Sequence, residues 1–133
     1  MFRCTDCGAE HPSFRYTCPR CGSALLFVGD ELSWRPDGAG MWRYRSMLPM
    51  DRRVTMCEGG TPLIRRRDVE DEVYLKVEGN NPTGSFKDRG TSVILSDAVG
   101  RGFSTMAVAS TGNMGASVAA YSAYSNLEAL VFE

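Results

Sequence analysis

Four cysteines stand as two Cys-x-x-Cys pairs, Cys4 with Cys7 and Cys18 with Cys21, and ten residues separate the pairs. Each pair presents two thiolates to one ion. The glycine that follows each pair, Gly8 and Gly22, permits the tight turn that aims backbone N–H groups at the sulfurs. The spacing predicts a closed tetrahedral thiolate set of the kind that holds structural zinc. Iron in a rubredoxin-like site suits the same four sulfurs, and a disulfide framework is the weaker competitor in a chain with no secretory apolar segment at its start. A site with four protein ligands has no open position, so its role is to stabilise a segment too short to fold on its own core. His11, the only histidine, lies between the pairs and could replace one cysteine. On ligand count it reads instead as a surface residue of the intervening loop. Cys57 falls outside the pattern and reads as a small buried apolar residue.

A second constellation lies further on, at Asn81-Pro82-Thr83-Gly84-Ser85-Phe86-Lys87-Asp88-Arg89-Gly90. It follows an alternating apolar stretch and opens a helical one. Lys87 would project from a helix N-terminus, where the macrodipole disfavours a cation, a setting that suits a nucleophilic or Schiff-base amine. A solvated surface lysine beside Asp88 and Arg89 is the alternative. The third constellation is Ser110-Thr111-Gly112-Asn113-Met114-Gly115. Hydroxyls, an amide and backbone N–H groups converge there at a strand-to-helix turn, which favours an anion such as a carboxylate. An ordinary helix cap built from the same residues is the alternative.

The elements that must position these turns follow from periodicity. Val73, Leu75 and Val77 alternate with Tyr74, Lys76 and Glu78, which predicts a strand. A helix is expected from Ser85 to Val99, with Val93, Ile94, Leu95, Ala98 and Val99 on or near its apolar face. Gly100 and Gly102 stop it. Thr105 to Ala109 reads as a strand, Met114 to Ser125 as a small-residue helix and Leu127 to Phe132 as a strand. The order implies an α/β fold, a parallel βαβαβ layer with crossover helices. Three stretches differ in composition: a ribbon over 1–28, an irregular segment over 29–72 that carries Trp34, Trp42 and Tyr44, and the α/β stretch over 73–133. The last strand ends the sequence with open edges, which suggests an incomplete layer or one that a partner completes.

The chain has 133 residues, 43% hydrophobic and 23% charged, within the range of globular proteins. Fifteen basic residues stand against sixteen acidic ones, for a formal charge of −1. That balance argues against a general nucleic-acid binder, for which Arg3, Arg15 and Arg20 of the ribbon would be the contacts, and against an anionic-membrane binder. No apolar run approaches the ~20 residues that span a bilayer, so a cytoplasmic protein is expected.

Taken together, the lysine and asparagine turns resemble those of the pyridoxal-phosphate enzymes of fold type II, the tryptophan-synthase-β-like group. Within that group the chain is most similar to the N-terminal part of the threonine synthases. Asn81 to Gly90, Glu58-Gly59-Gly60-Thr61-Pro62-Leu63 and Met41-Trp42-Arg43-Tyr44 are close to family motifs, and a cysteine ribbon occurs in some members. The resemblance implies that Lys87 binds pyridoxal 5'-phosphate as a Schiff base and shuttles protons. Asn113 would meet the cofactor's phenolic oxygen, and Phe86 would pack beside its ring. Ser110, Thr111, Gly112, Asn113 and Met114 would line the substrate carboxylate site. Asp88 and Arg89 would hold the lysine turn, with the loop of Glu58 and Thr61 packed nearby. The implied reaction converts O-phosphohomoserine and water to threonine and phosphate. Met114 and Cys57 stand where the family often has a small hydroxyl residue and a glycine. Family members are much longer, and their cofactor-phosphate loop has no counterpart in this sequence, so the chain alone is expected to be inactive. A cysteine synthase or serine/threonine dehydratase, or a non-catalytic ribbon module that self-associates as a homodimer, are the competing expectations.

Overall fold

A computed structural model describes residues 1–29, 38–51 and 54–133. Trp34 lies outside the described residues, as does part of the irregular segment expected over 29–72.

The ribbon is a three-stranded antiparallel sheet. Its central strand β1 (Phe2–Cys4) pairs with β2 (Glu10–His11) on one side and β3 (Leu25–Phe27) on the other. Two knuckles close it. The Cys4 N–H donates to Ala9 O at 2.9 Å, and the Cys18 N–H donates to Ser23 O at 2.8 Å. Gly8 and Gly22 have φ of 68° and 78°, the left-handed turn that their positions after the cysteine pairs predicted. Too few strands are present for a two-sided core, so aromatic rings supply the packing: Phe2 meets Phe14 and Phe27 edge-on, with centroids 5.7 and 5.5 Å away.

A 3-10 segment, Gly40–Met47, buries Met41 and Trp42. Next come β4 (Leu63–Arg65) and β5 (Tyr74–Lys76), then α1 (Lys87–Gly100), β6 (Thr105–Ala109), α2 (Asn113–Tyr124) and β7 (Glu128–Phe132). The β6–α2–β7 unit is the expected parallel crossover, in register from Thr105 opposite Glu128 to Ala109 opposite Phe132.

The first strand of the expected βαβαβ layer is a correction. β5 pairs antiparallel with β4, Leu63 opposite Lys76 and Arg65 opposite Tyr74, and does not join β6 and β7 among the described pairings. The two strands are near neighbours in sequence, so their pairing closes a short loop at low entropic cost, whereas a parallel partner lies beyond a whole helix. Periodicity reported a strand but could not report its partner.

The buried face of α1 is corrected in part: Leu95 and Ala98 lie in it as expected and Val99 packs at the core's edge. That face consists of Asp88, Thr91, Ser92, Leu95, Ser96 and Ala98, while Ile94 is exposed. α2 contributes Gly115, Ser117, Val118, Tyr121 and Ser122. The side-chain pairings advance together along both helices, from Asp88 with Ser117 to the contact of Leu95 with Tyr121, so the helices run in the same direction. Their interface is rich in hydroxyls. The apolar part of the core is a compact cluster of Val54, Leu95 and Tyr121, edged by Met56, Val99, Met106 and Leu127.

Candidate active site and metal centre

The lysine turn is held from below by a buried carboxylate. Asp88 accepts the Thr83 N–H at 2.7 Å, the Thr83 hydroxyl, and the Ser117 hydroxyl at 2.6 Å. Three donors satisfy a charge that is fully buried, and one of them comes from α2. The Ser117 hydroxyl, whose proton goes to Asp88, can accept from the Thr91 hydroxyl at 2.8 Å, and Thr91 Oγ1 also lies 3.1 Å from Lys87 O and 3.9 Å from the Met114 sulfur. The first turn of α1 is therefore stitched to the first turn of α2. Lys87 is the opening residue of α1 and half-buried. Its Nζ lies 4.3 Å from the Phe86 ring centroid, and that ring is 56% exposed.

An ion pair fixes the other side of the turn. Arg89 donates to both Glu78 oxygens, at 2.7 and 2.8 Å, and the Thr61 hydroxyl adds a third bond at 2.7 Å. The Arg89 guanidinium, helped by Thr61 and Asn81, outweighs burial and pulls the Glu78 carboxyl down to about 2. Asn81 donates to Glu78 O at 2.7 Å and accepts the Gly59 N–H at 2.9 Å. Asp88 and Arg89 thus occupy the supporting positions expected of them.

The asparagine turn starts where β6 ends. Ser110 N–H extends the strand pairing to Phe132 O at 2.9 Å. Its Oγ accepts the N–H groups of Gly112 and Gly115 at 3.2 and 3.1 Å. Ser110 is thereby fixed as an acceptor while its own proton is left to donate. Thr111, Gly112 and Asn113 are exposed and Met114 is half-buried. An exposed turn bearing an amide, a hydroxyl and helix-terminal N–H groups is chemically suited to an anion and to a ring oxygen.

Glu58 is the group whose role the sequence did not reveal. It is 0% exposed and accepts five donors: Trp42 Nε1 at 2.6 Å, Ser92 Oγ at 2.6 Å, Tyr121 OH at 2.8 Å, Thr55 Oγ1 at 3.0 Å and the Met56 N–H at 3.0 Å. Burial pushes its carboxyl up, but the bonds from Ser92, Tyr121 and the backbone prevail and the net shift is downward. Tyr121 moves upward, through burial first and then the neighbouring Glu58 charge. One carboxylate thus ties the 3-10 segment, α1 and α2 together. Trp42, Ser92, Ser117 and Tyr121 are the supports that sequence reasoning missed. Their signal was present as hydroxyls at helical spacing, Ser92 and Ser96 on α1 and Ser117 and Tyr121 on α2. Gly59 fits close under this loop: a Cβ there would sit 2.5 Å from Met41 N at a φ of 82°. Cys57, expected to be buried, is exposed at a φ of 67°. The turn that drives Glu58 inward carries its neighbour outward.

In the ribbon, one sulfur from each of Cys4, Cys7, Cys18 and Cys21 lies within 4.8 Å of all the others. The Cys4–Cys21 and Cys7–Cys18 separations are 3.3 and 3.7 Å. Metal–sulfur bonds of ~2.3 Å in a tetrahedron give sulfur–sulfur edges of about 3.8 Å, so the donor set fits one zinc or iron ion. His11 is outside that set of four.

The family model "Pyridoxal-phosphate dependent enzyme" matches residues 54–132. Threonine synthase of Methanocaldococcus jannaschii is 41% identical over an alignment that covers 97% of this chain and 36% of that protein. Threonine synthase of Methanosarcina acetivorans is 38% identical over the same shares, and that of Mycobacterium leprae is 46% identical over 66% of this chain and 26% of that protein. The chain therefore spans about a third of the length of the curated relatives it matches.

Proposed function

Because the chain belongs to the pyridoxal-phosphate-dependent enzymes, we propose that it carries the lysine-bearing part of a threonine synthase active site, in a chain that is inactive by itself. The similarity to threonine synthases supports this reading, and so does one geometric observation. The first turns of α1 and α2 are stitched side by side through Asp88, Thr91 and Ser117, which brings the lysine turn and the asparagine turn to the same end of two parallel helices. The residues present suit the cofactor's ring end: a half-buried amine, an open aromatic ring beside it and an exposed amide-bearing turn. Bound pyridoxal phosphate supplies an electron sink for bonds broken at the substrate α-carbon.

The roles of the chain's own residues follow. The Lys87 amine holds the cofactor and then takes and returns protons at Cα and Cβ. The Asn113 amide donates to the phenolic oxygen. Ser110, with its proton free to donate, binds the substrate carboxylate together with Thr111, Gly112 and the N–H groups of Asn113 and Met114. Phe86 packs beside the ring. The overall change is O-phosphohomoserine plus water to threonine plus phosphate, which balances with one water added and one phosphate released. The ribbon over 1–28 is a structural zinc module, the irregular segment over 29–72 packs on the large domain of the whole enzyme, and 73–133 is the first part of its small α/β domain. No helix among the described residues is long and apolar enough to cross a membrane, and we place the protein in the cytoplasm.

A spectrophotometric titration with pyridoxal phosphate tests the reading. The unaltered chain should develop an imine band that Lys87→Ala abolishes. Equal bands in both proteins would overturn the role of Lys87. A second reading, self-association, is favoured by the exposed apolar side chains of the β4–β5 ribbon, Leu63, Ile64, Tyr74 and Leu75. A concentration-dependent size on gel filtration would support it.

A further inference from the structure

His11 occupies a particular place beside the cysteine cluster. It ends β2, opposite Phe2 on β1, and that register carries its ring towards the second knuckle. Its Nε2 lies 3.6 Å from the Cys18 sulfur, within the range of an N–H···S hydrogen bond. Cys18 is the most deeply buried of the four ligand candidates, 2% exposed against 4% for Cys4, with Cys7 half-buried and Cys21 exposed. The His11 nitrogen is not within 4.8 Å of all four sulfurs, so it lies outside the tetrahedron and is not a fifth ligand.

We propose that His11 is a positioning residue of the metal centre, donating its Nε2–H to the Cys18 thiolate from outside the coordination sphere. The inference rests on the reading of the four cysteines as metal ligands. Four thiolates around a dication leave net negative charge on sulfur. At Cys21 water can solvate it. At Cys18 water is excluded, so the charge needs a donor from the protein, or the buried thiolate pays an unshared desolvation penalty. Part of the knuckle backbone is engaged elsewhere or has no proton to offer: the Cys18 N–H goes to Ser23 O, the Gly22 N–H to Cys18 O, and Pro19 has no N–H. An imidazole with a proton on Nε2 supplies the donor, and the strand pairing of β2 with β1 fixes its direction. Partners outside the coordination sphere typically contribute 10- to 100-fold to metal affinity.

The test uses the full chain, stripped of metal and titrated with cobalt(II), with affinity read by competition against a chelator and sulfur donation read from the thiolate-to-cobalt charge-transfer band. His11→Phe keeps a ring without the donor. His11→Gln places an N–H near the position of Nε2. The expected result is a roughly 10- to 100-fold loss of affinity and a displaced charge-transfer band in His11→Phe, both largely restored in His11→Gln. Unchanged affinity and band in His11→Phe would overturn the proposal. Equal losses in both variants with an unmoved band would also overturn it, since ring packing alone would then explain them. Failure of the unaltered chain to take up one cobalt ion would remove the metal-site reading itself, and His11 with it.

Discussion

Glu58 shows how a single residue can carry a fold. A carboxylate with no exposure is expensive unless its oxygens are satisfied, and here five donors converge on it. Glu58→Gln keeps the shape but replaces an acceptor oxygen by an N–H₂ facing existing donors. We expect it to cost about 3 kcal/mol in denaturant unfolding, since a buried donor left unpaired costs ~1–3 kcal/mol. A loss below about 0.5 kcal/mol, the size of an ordinary surface change, would contradict the hub. The same carboxylates set the acid limb of stability. Glu58 and Glu78 are both held below the ordinary value of 4.5, Glu78 at about 2. The unfolded chain therefore binds protons before the folded one does. Their contribution is complete above the ordinary value and is lost as pH falls through the folded values. Stability measured by circular dichroism should decline progressively from about pH 4.5 towards 2; a flat profile over that window would count against it. The sequence showed Glu58 in a suggestive motif but not its partners, because they arrive from positions 34 and 63 residues away.

At the scale of elements, α1, α2, β6 and β7 were legible because capping glycines, small-residue runs and apolar alternation are local signals. Each helix boundary falls within two residues of its expectation: Lys87–Gly100 against Ser85 to Val99, and Asn113–Tyr124 against Met114 to Ser125. The face that α1 buries was not legible. An apolar face through Val93 and Ile94 was the natural reading, yet Ser92 and Ser96 turn inward to meet Glu58 and the Val54 backbone, and Thr91 turns inward to meet Ser117 of α2. Hydroxyls look surface-seeking until a buried acceptor is known. The helix pairing is directly testable at Ser117, which donates to Asp88 and lies 2.8 Å from Thr91. Ser117→Ala leaves Asp88 short of a donor and should cost ~1–3 kcal/mol. It should also weaken pyridoxal-phosphate binding, because the lysine turn loses its anchor on α2. Unchanged stability and unchanged binding together would show that the two turns are not coupled through this residue.

The whole molecule joins a cysteine ribbon held by aromatic rings to an α/β part held by buried polar groups. The clustering of Cys4, Cys7, Cys18 and Cys21 was readable, since Cys-x-x-Cys spacing and the glycine after each pair encode the knuckle locally. The partner of β5 was not readable, because strand pairing is a property of chain closure and not of the strand. An apolar groove of about 570 Å³ runs between the two parts, where Phe2 and Phe27 of the ribbon face Ile94 and Phe103. In the proposed function these parts bring Lys87 forward as a cofactor-binding amine. The most direct measurement is borohydride reduction of the chain with pyridoxal phosphate, followed by peptide mass mapping. Label is expected on Lys87, at most one per chain, with Lys76 unmodified because its amine is engaged by the Thr61 carbonyl. Label spread over both lysines, or found on Lys76 alone, would contradict it.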